Sequence, residues 1–236
     1  MVLLEQELPE SNRREQIDGL SEKFCTNHGS SKTSRKRLSQ TLFLVPRTRL
    51  DLLPYYSRMA ATLCRVWPDI SSSLITDLEQ QFHGQAKYKK NQNVESRLRT
   101  ARYIGELTKF RVAPPIIVFR CLRRCLDDFT GGNVDVACCL LESCGRYLYR
   151  LPHTNARLAA LMDTMMRVSK AKVGLLVIYP KYDREFCRSL LSFCSIWMIV
   201  PMPLSTAHST RLSHRQVARK RKLRSTHLLK GIFAIC

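Results

Sequence analysis

Residues 52–66 read LLPYYSRMAATLCRV. Leu52, Tyr56, Met59, Leu63 and Val66 step by four, three, four and three, which places them on one stripe of an α-helix and on no strand. Pro68 ends the stripe. Ile70, Leu74, Leu78 and Phe82 then recur every four residues and make a second stripe. Helices joined by so short a turn lie antiparallel, with their apolar stripes together.

The pattern extends both ways. Upstream, residues 1–34 are polar, with one modest helical stretch over 16–25 and a loop over 29–34. Thr33 or Ser34 can cap a helix that runs to about Leu44, with Leu38 and Leu42 on one face and Pro46 as its stop. Downstream, residues 84–92 read as a basic, polar loop. Val94, Leu98, Ala101, Ile104 and Leu107 mark a helix, and Pro114 and Pro115 suit the start of the next. That next stripe is Val118, Cys121, Leu122, Cys125, Leu126 and Phe129. Gly131-Gly132-Asn133 reads as a loop before a helix carrying Val136, Leu140, Cys144, Tyr147 and Leu151. Beyond Pro152, Thr154 can cap a last helix with Leu158, Leu161, Met165 and Val168 on one side. About eight helices thus succeed one another up to Lys172 with no strand between them. This predicts an all-α fold, a HEAT/armadillo-like stack of antiparallel helical hairpins. No exact internal sequence repeat accompanies it.

Composition agrees. Nine Gly and ten Pro in 236 residues are few for a turn-rich β fold, and 44% apolar residues suffice for one sizeable core. The formal charge of +20 favours acidic partners. Residues 1–8 read as a flexible start and 9–172 as the helical domain. Residues 173–236 read as a basic tail, expected to be poorly ordered. That tail holds an apolar run over 190–200, too short to span a membrane, and the string Arg219-Lys220-Arg221-Lys222, a candidate nuclear-localisation or nucleic-acid patch. Residues 1–9 carry Glu5 and Glu7 and no long apolar stretch, so no secretory signal is read there. The ten Cys are therefore expected as reduced thiols that pack as small apolar groups.

No catalytic motif is present. The six His stand apart from any Ser, Cys or carboxylate at a motif spacing, and no phosphate-binding, dinucleotide-binding or zinc-protease string occurs. Cys121 and Cys125 have a permitted zinc spacing, but both lie on an apolar helix stripe with no His nearby. No enzyme, metal or cofactor is expected. The basic residues carry more: Arg35, Lys36 and Arg37 at the second helix; Lys89 and Lys90 in a loop; Arg97, Arg99 and Arg102 after that loop, with Lys109 and Arg111 near the helix end; and Arg120, Arg123 and Arg124 sharing a face of the next helix. Such residues on neighbouring helices can form a ridge that neutralises phosphates without regard to sequence. The plainer reading is a set of solvated outer faces.

Several longer strings are more specific. Arg35-Lys36-Arg37-Leu38, Phe43-Leu44-Val45-Pro46-Arg47, Leu52-Leu53-Pro54-Tyr55-Tyr56-Ser57-Arg58 and Arg102-Tyr103-Ile104-Gly105-Glu106-Leu107-Thr108-Lys109-Phe110 occur in order. Cys121-Leu122, Asp127-Asp128-Phe129, Asp135-Val136-Ala137-Cys138 and Leu141-Glu142-Ser143-Cys144-Gly145-Arg146-Tyr147-Leu148-Tyr149-Arg150 follow. In order and spacing they resemble the regulator-of-nonsense-transcripts-2 (up-frameshift) family, at the second of its three initiation-factor-4-gamma middle-type domains. The resemblance covers 9–172 and stops at Lys172, which implies a stack truncated at its C-terminal end. It implies a non-enzymatic scaffold in nonsense-mediated mRNA decay, cytoplasmic, with the perinuclear region or nucleus as alternatives. Its partners would be mRNA-decay proteins, the helicase and the exon-junction adaptor, whose docking segments lie outside the matched stretch. RNA would be a further partner; a membrane or a small-molecule substrate would not. The alternative is a general RNA-binding, translation-type helical module that uses the basic ridge.

Overall fold

The computed structural model describes residues 6–46, 48–87 and 94–178. Among them are eight α-helices and no strand. The chain divides into two compact units, Met1–Cys121 and Leu122–Cys236.

The first unit opens with a 3₁₀ turn, Leu8–Glu10, that buries Leu8 completely. Helix α1, Arg14–Asn27, buries Ile17, Leu20, Ser21 and Phe24, one face at helical spacing. The Arg13 backbone N–H donates to Gln16 Oε1 at 3.2 Å, one half of a capping box. Helix α2, Lys32–Phe43, is capped by Ser31 rather than Thr33 or Ser34. Ser31 has the extended backbone a cap needs, and its Oγ accepts from the Ser34 N–H at 3.5 Å. A 3₁₀ turn, Leu50–Leu52, leads into α3, Leu53–Leu63, which places Pro54 in its first turn. Because α3 stops at Leu63, Val66 turns off the stripe expected for it and is 60% exposed.

Helix α4, Pro68–Lys87, continues through Gly84 where a loop was expected to begin. Buried Phe82 and the Gln85 amide, which donates to Ser96 Oγ at 2.9 Å, hold that last turn in place. Helix α5, Val94–Lys109, is buried on nearly all sides, including Ser96, Arg99, Thr100, Tyr103 and Glu106. Helix α6, Pro115–Asp127, follows. Within the first unit α1 packs on α3 and α3 on α5, while α2 packs on α4 and α4 bridges to α3 and α5. Helices α1, α2 and α3 therefore each lie beside the helix two places on, the two-layer arrangement of stacked hairpins.

In the second unit α7 spans Gly131–Arg150. Gly131-Gly132-Asn133 form its first turn, not a loop. Extended Thr130 precedes it, the Val134 N–H already reaches the Thr130 carbonyl at 2.9 Å, and Asn133 Nδ2 donates to the Asp128 carbonyl at 2.6 Å. Helix α8, Pro152–Ile178, packs against α7. Only Leu151 separates them; the following Pro152 drives it into the extended region. Thr154 thus lies inside the first turn of α8 instead of capping it, and its hydroxyl donates back to the Leu148 and Leu151 carbonyls. Asn155 Nδ2 serves the Tyr149 carbonyl at 2.9 Å. These two side chains satisfy the carbonyls that the end of α7 leaves open. Helix α8 runs on past Lys172 to Ile178. The apolar run over 190–200, the string Arg219-Lys220-Arg221-Lys222 and the rest of the tail from 179 lie outside the described residues.

Candidate interaction surfaces

The basic residues fall into two groups, one turned inward and one outward. Arg99 belongs to the first. It is only 8% exposed, and its guanidinium donates to the Val45 carbonyl and to Gln81 Oε1. One turn on, buried Tyr103 donates its hydroxyl to the Leu42 carbonyl at 3.0 Å. The Leu42 carbonyl belongs to the last turn of α2, where no intrahelical donor is available. Side chains four apart on α5 therefore close the exit of α2, and the arginine charge also suits the negative end of that helix dipole. Arg99 is no surface ligand, contrary to the expectation from sequence: its guanidinium is buried between the Val45 carbonyl and the Gln81 side chain. Burial pushes the Tyr103 hydroxyl far above its ordinary range and raises Tyr56 to about 12.

Arg35 is likewise structural. Its Nη1 donates to the Gly29 and Ser30 carbonyls at 2.8 and 3.1 Å, and its Nε to Asp69 Oδ2 at 2.8 Å. This joins the turn after α1 to the start of α4. Beside it the Trp67 indole lies against Gly29, so close that a Cβ there would stand 2.0 Å from the ring. Trp67 meets buried Phe24 edge to face, with ring centroids 6.1 Å apart. Two turns that are 38 positions apart in sequence are thus locked together. Arg120 also has an internal partner, Glu79 on α4, at 2.8 Å.

The outward group comprises Lys36, Arg37, Arg102, Arg123 and Arg124, all exposed, with Arg97 half-buried. Lys89 and Lys90 lie outside the described residues. Two exposed arginines stand at helix ends: Arg65 after α3 and Arg111 after α5. Arg111 has φ 61°, the left-handed region. It occupies the C′ position of a Schellman motif: its N–H bonds the Thr108 carbonyl at 3.0 Å, and the Val112 N–H bonds the Leu107 carbonyl at 2.9 Å. Glycine is the usual residue there. An arginine costs about 1–2 kcal/mol in such a conformation, whereas an exposed cation at a helix C-terminus returns only about 0.3–1 kcal/mol. No glycine stands at 110–114, so no residue type flags the motif in advance.

Residues 6–173 match the MIF4G domain model. The chain belongs to the MIF4G domain family. Over this MIF4G domain it is 48% identical, across 167 residues, to "Regulator of nonsense transcripts UPF2" of Arabidopsis thaliana, a match covering 71% of the chain and 14% of that relative. It is 40% identical across 166 residues to "Regulator of nonsense transcripts 2" of Homo sapiens, covering 70% and 13%. It is 36% identical across 138 residues to "Nonsense-mediated mRNA decay protein 2" of Schizosaccharomyces pombe, covering 58% and 13%. The chain spans only a small part of the length of these relatives. The middle-type resemblance read from the strings above is thereby established.

Cys121, Cys125, Cys138 and Cys144 are buried, and the Cys144 thiol donates to the Leu140 carbonyl at 3.2 Å. Burial, with the neighbouring Glu22, raises the Cys25 thiol, so it is no activated nucleophile. Among the described residues no three His, Cys, Asp or Glu converge on a metal position. A groove between α4 and α6 is lined by Thr76, Glu79, Gln80, His83, Gly84 and Arg120. Its one hydroxyl, Thr76, donates to the Ser72 carbonyl at 2.8 Å, and Glu79 is held by Arg120. No helix among the described residues is long and apolar enough to cross a membrane.

Proposed function

We propose that this chain is a non-enzymatic scaffold module of nonsense-mediated mRNA decay that works by presenting helix faces and turns to other proteins. The observation that carries this is the match of residues 6–173 to a MIF4G domain, shared at 36–48% identity with three relatives named for nonsense-transcript regulation or decay. The structure supports it through its use of polar chemistry. Arg35, Arg99, Tyr103, Thr154 and Asn155 close turns and helix ends, and the one hydroxyl lining the groove at Glu79 and His83, that of Thr76, is bonded to the Ser72 carbonyl of its own helix. The decay helicase and the exon-junction adaptor are the partners this reading favours, in the cytoplasm or around the nucleus.

The exposed Arg102, Arg123 and Arg124 favour a second reading, an RNA-binding helical module of the translation type. One experiment separates the two. The full chain is immobilised and incubated with cell extract before and after ribonuclease. Nonsense-decay factors retained after ribonuclease are expected. Capture that vanishes with the RNA, or that holds translation-initiation factors alone, would sink the scaffold reading.

A further inference from the structure

We infer that the end of the first unit formed by the turns after α1, α3 and α5 is a docking surface for an acidic protein segment carrying apolar side chains. This rests on the scaffold reading above and names one of its binding faces.

Helices α3, α4 and α5 pack on one another in sequence, with short connections, so α3 and α5 run in the same direction and finish at the same end. Helices packed side by side lie about 8–10 Å apart, within the reach of two arginine side chains. The turn after α1 is at this end too, since Gly29 lies against Trp67. Here stand Arg65 and Arg111, exposed, each without a side-chain hydrogen bond or ion pair among the described residues. Here also stand Val66, 60% exposed, and Ile116 in the first turn of α6, 37% exposed. They are two of the three large apolar side chains exposed among the described residues; the third, Leu44, follows α2 at the opposite end.

Three features point to a protein partner. The basic and apolar groups are interleaved, Arg65 beside Val66 and Arg111 near Ile116, which matches a segment alternating acidic and apolar residues better than a phosphate chain does. Among the described residues neither cation has an acid partner. Arg111 holds a left-handed backbone that glycine would adopt at lower energy, and the helix dipole alone does not offset that difference. Strain kept at an exposed, unpartnered side chain is consistent with contact to another molecule.

Arg111→Gly separates this inference from a structural role. In the full chain it should raise Tm by about 2–4 °C, because the strain is removed. It should also weaken binding of a fluorescent synthetic peptide that alternates glutamate and leucine. Arg65→Glu/Arg111→Glu should weaken that peptide about tenfold at low salt. Arg14→Glu, at the start of α1 and thus the opposite end, should leave it unchanged. Fluorescence anisotropy reads the peptide, with a polyuridylate RNA measured alongside. The inference is overturned if Arg111→Gly gains stability and keeps peptide affinity, if Arg14→Glu weakens the peptide as much as the pair does, or if only the RNA responds. If the peptide never binds while the double variant still captures decay factors after ribonuclease, this surface is wrong and the scaffold reading stands.

Discussion

Gly29→Ala should be strongly destabilising, because the added methyl group has no room. The new Cβ would meet Trp67 Cη2 at 2.0 Å, Cζ2 at 2.4 Å and Cζ3 at 2.9 Å. These are atoms of one rigid ring, so no flexible chain end can yield. The indole must move as a body, and it is held edge to face by Phe24, whose side chain is fully buried. Overpacking of this kind costs about 1–3 kcal/mol, and losing the aromatic pair costs about 0.5–1.5 kcal/mol more. The sum, about 2–4 kcal/mol, corresponds to a Tm lowered by roughly 5–15 °C. Gly19→Ala and Gly84→Ala make the same chemical change in the interiors of α1 and α4, where nothing lies within 4 Å of the added carbon. Each should stabilise by about 0.5–1 kcal/mol, since alanine is the better helix former. Thermal unfolding followed by far-UV circular dichroism, with Trp fluorescence as a local reporter, measures all three. Equal losses at the three sites, or a neutral Gly29→Ala, would refute the proposed lock between the turns.

Arg99→Met should cost about 1–3 kcal/mol, because the Val45 carbonyl is left buried without its donor, and it should leave RNA affinity unchanged; urea titration and anisotropy read the two effects, and a stable variant with weakened RNA binding would return Arg99 to the surface set. Tyr56 and Tyr103 have raised folded-state pKa values, so the stability they contribute is complete below the unfolded value near pH 10; that of Tyr56 is lost as pH rises through about 12, and that of Tyr103 only at still higher pH. Ultraviolet titration should show the slow or cooperative ionisation of these two only on unfolding, and free titration in the native protein near pH 10 would contradict their burial. Asp18 accepts two bonds from Arg58, Nε to Oδ1 at 2.9 Å and Nη2 to Oδ2 at 2.7 Å, which lowers its pKa. The stability from this pair is present above pH ~4 and is lost as pH falls through the lowered folded-state value. Because both groups are over a third exposed, Arg58→Ala should cost less than about 1 kcal/mol at neutral pH and nothing measurable in strong acid; an undiminished cost in acid would assign the loss to packing.

The helices were legible because their apolar stripes obey one period. Leu52, Tyr56, Met59 and Leu63 all face inward as their spacing requires. Helix ends were less legible, since capping is decided by single residues. Ser31 caps two positions before the expected Thr33, and Gly131 starts a helix because Asn133 can reach back to Asp128. The basic residues were least legible. An arginine on a helix reads as outward, and only the three-dimensional neighbourhood shows Arg99 serving Val45 and Arg35 serving Gly29 and Ser30. Their carbonyl partners lie 54, 6 and 5 positions away, and backbone acceptors leave no residue-type signature in a sequence. Arg65 and Val66 are illegible for the opposite reason: the apolar period runs on through Val66, whereas the helix ends at Leu63 and leaves both residues exposed.

The central claim is that these residues form a nonsense-decay scaffold module, and domain replacement tests it most directly. Residues 6–173 would replace the matching segment of the Arabidopsis thaliana relative, with which this chain shares 48% identity, in plant cells lacking that protein. The half-life of a reporter transcript carrying a premature stop codon would then be measured. The account predicts that rapid decay is restored. A chimera that accumulates to normal levels, remains folded and leaves the reporter stable would contradict it.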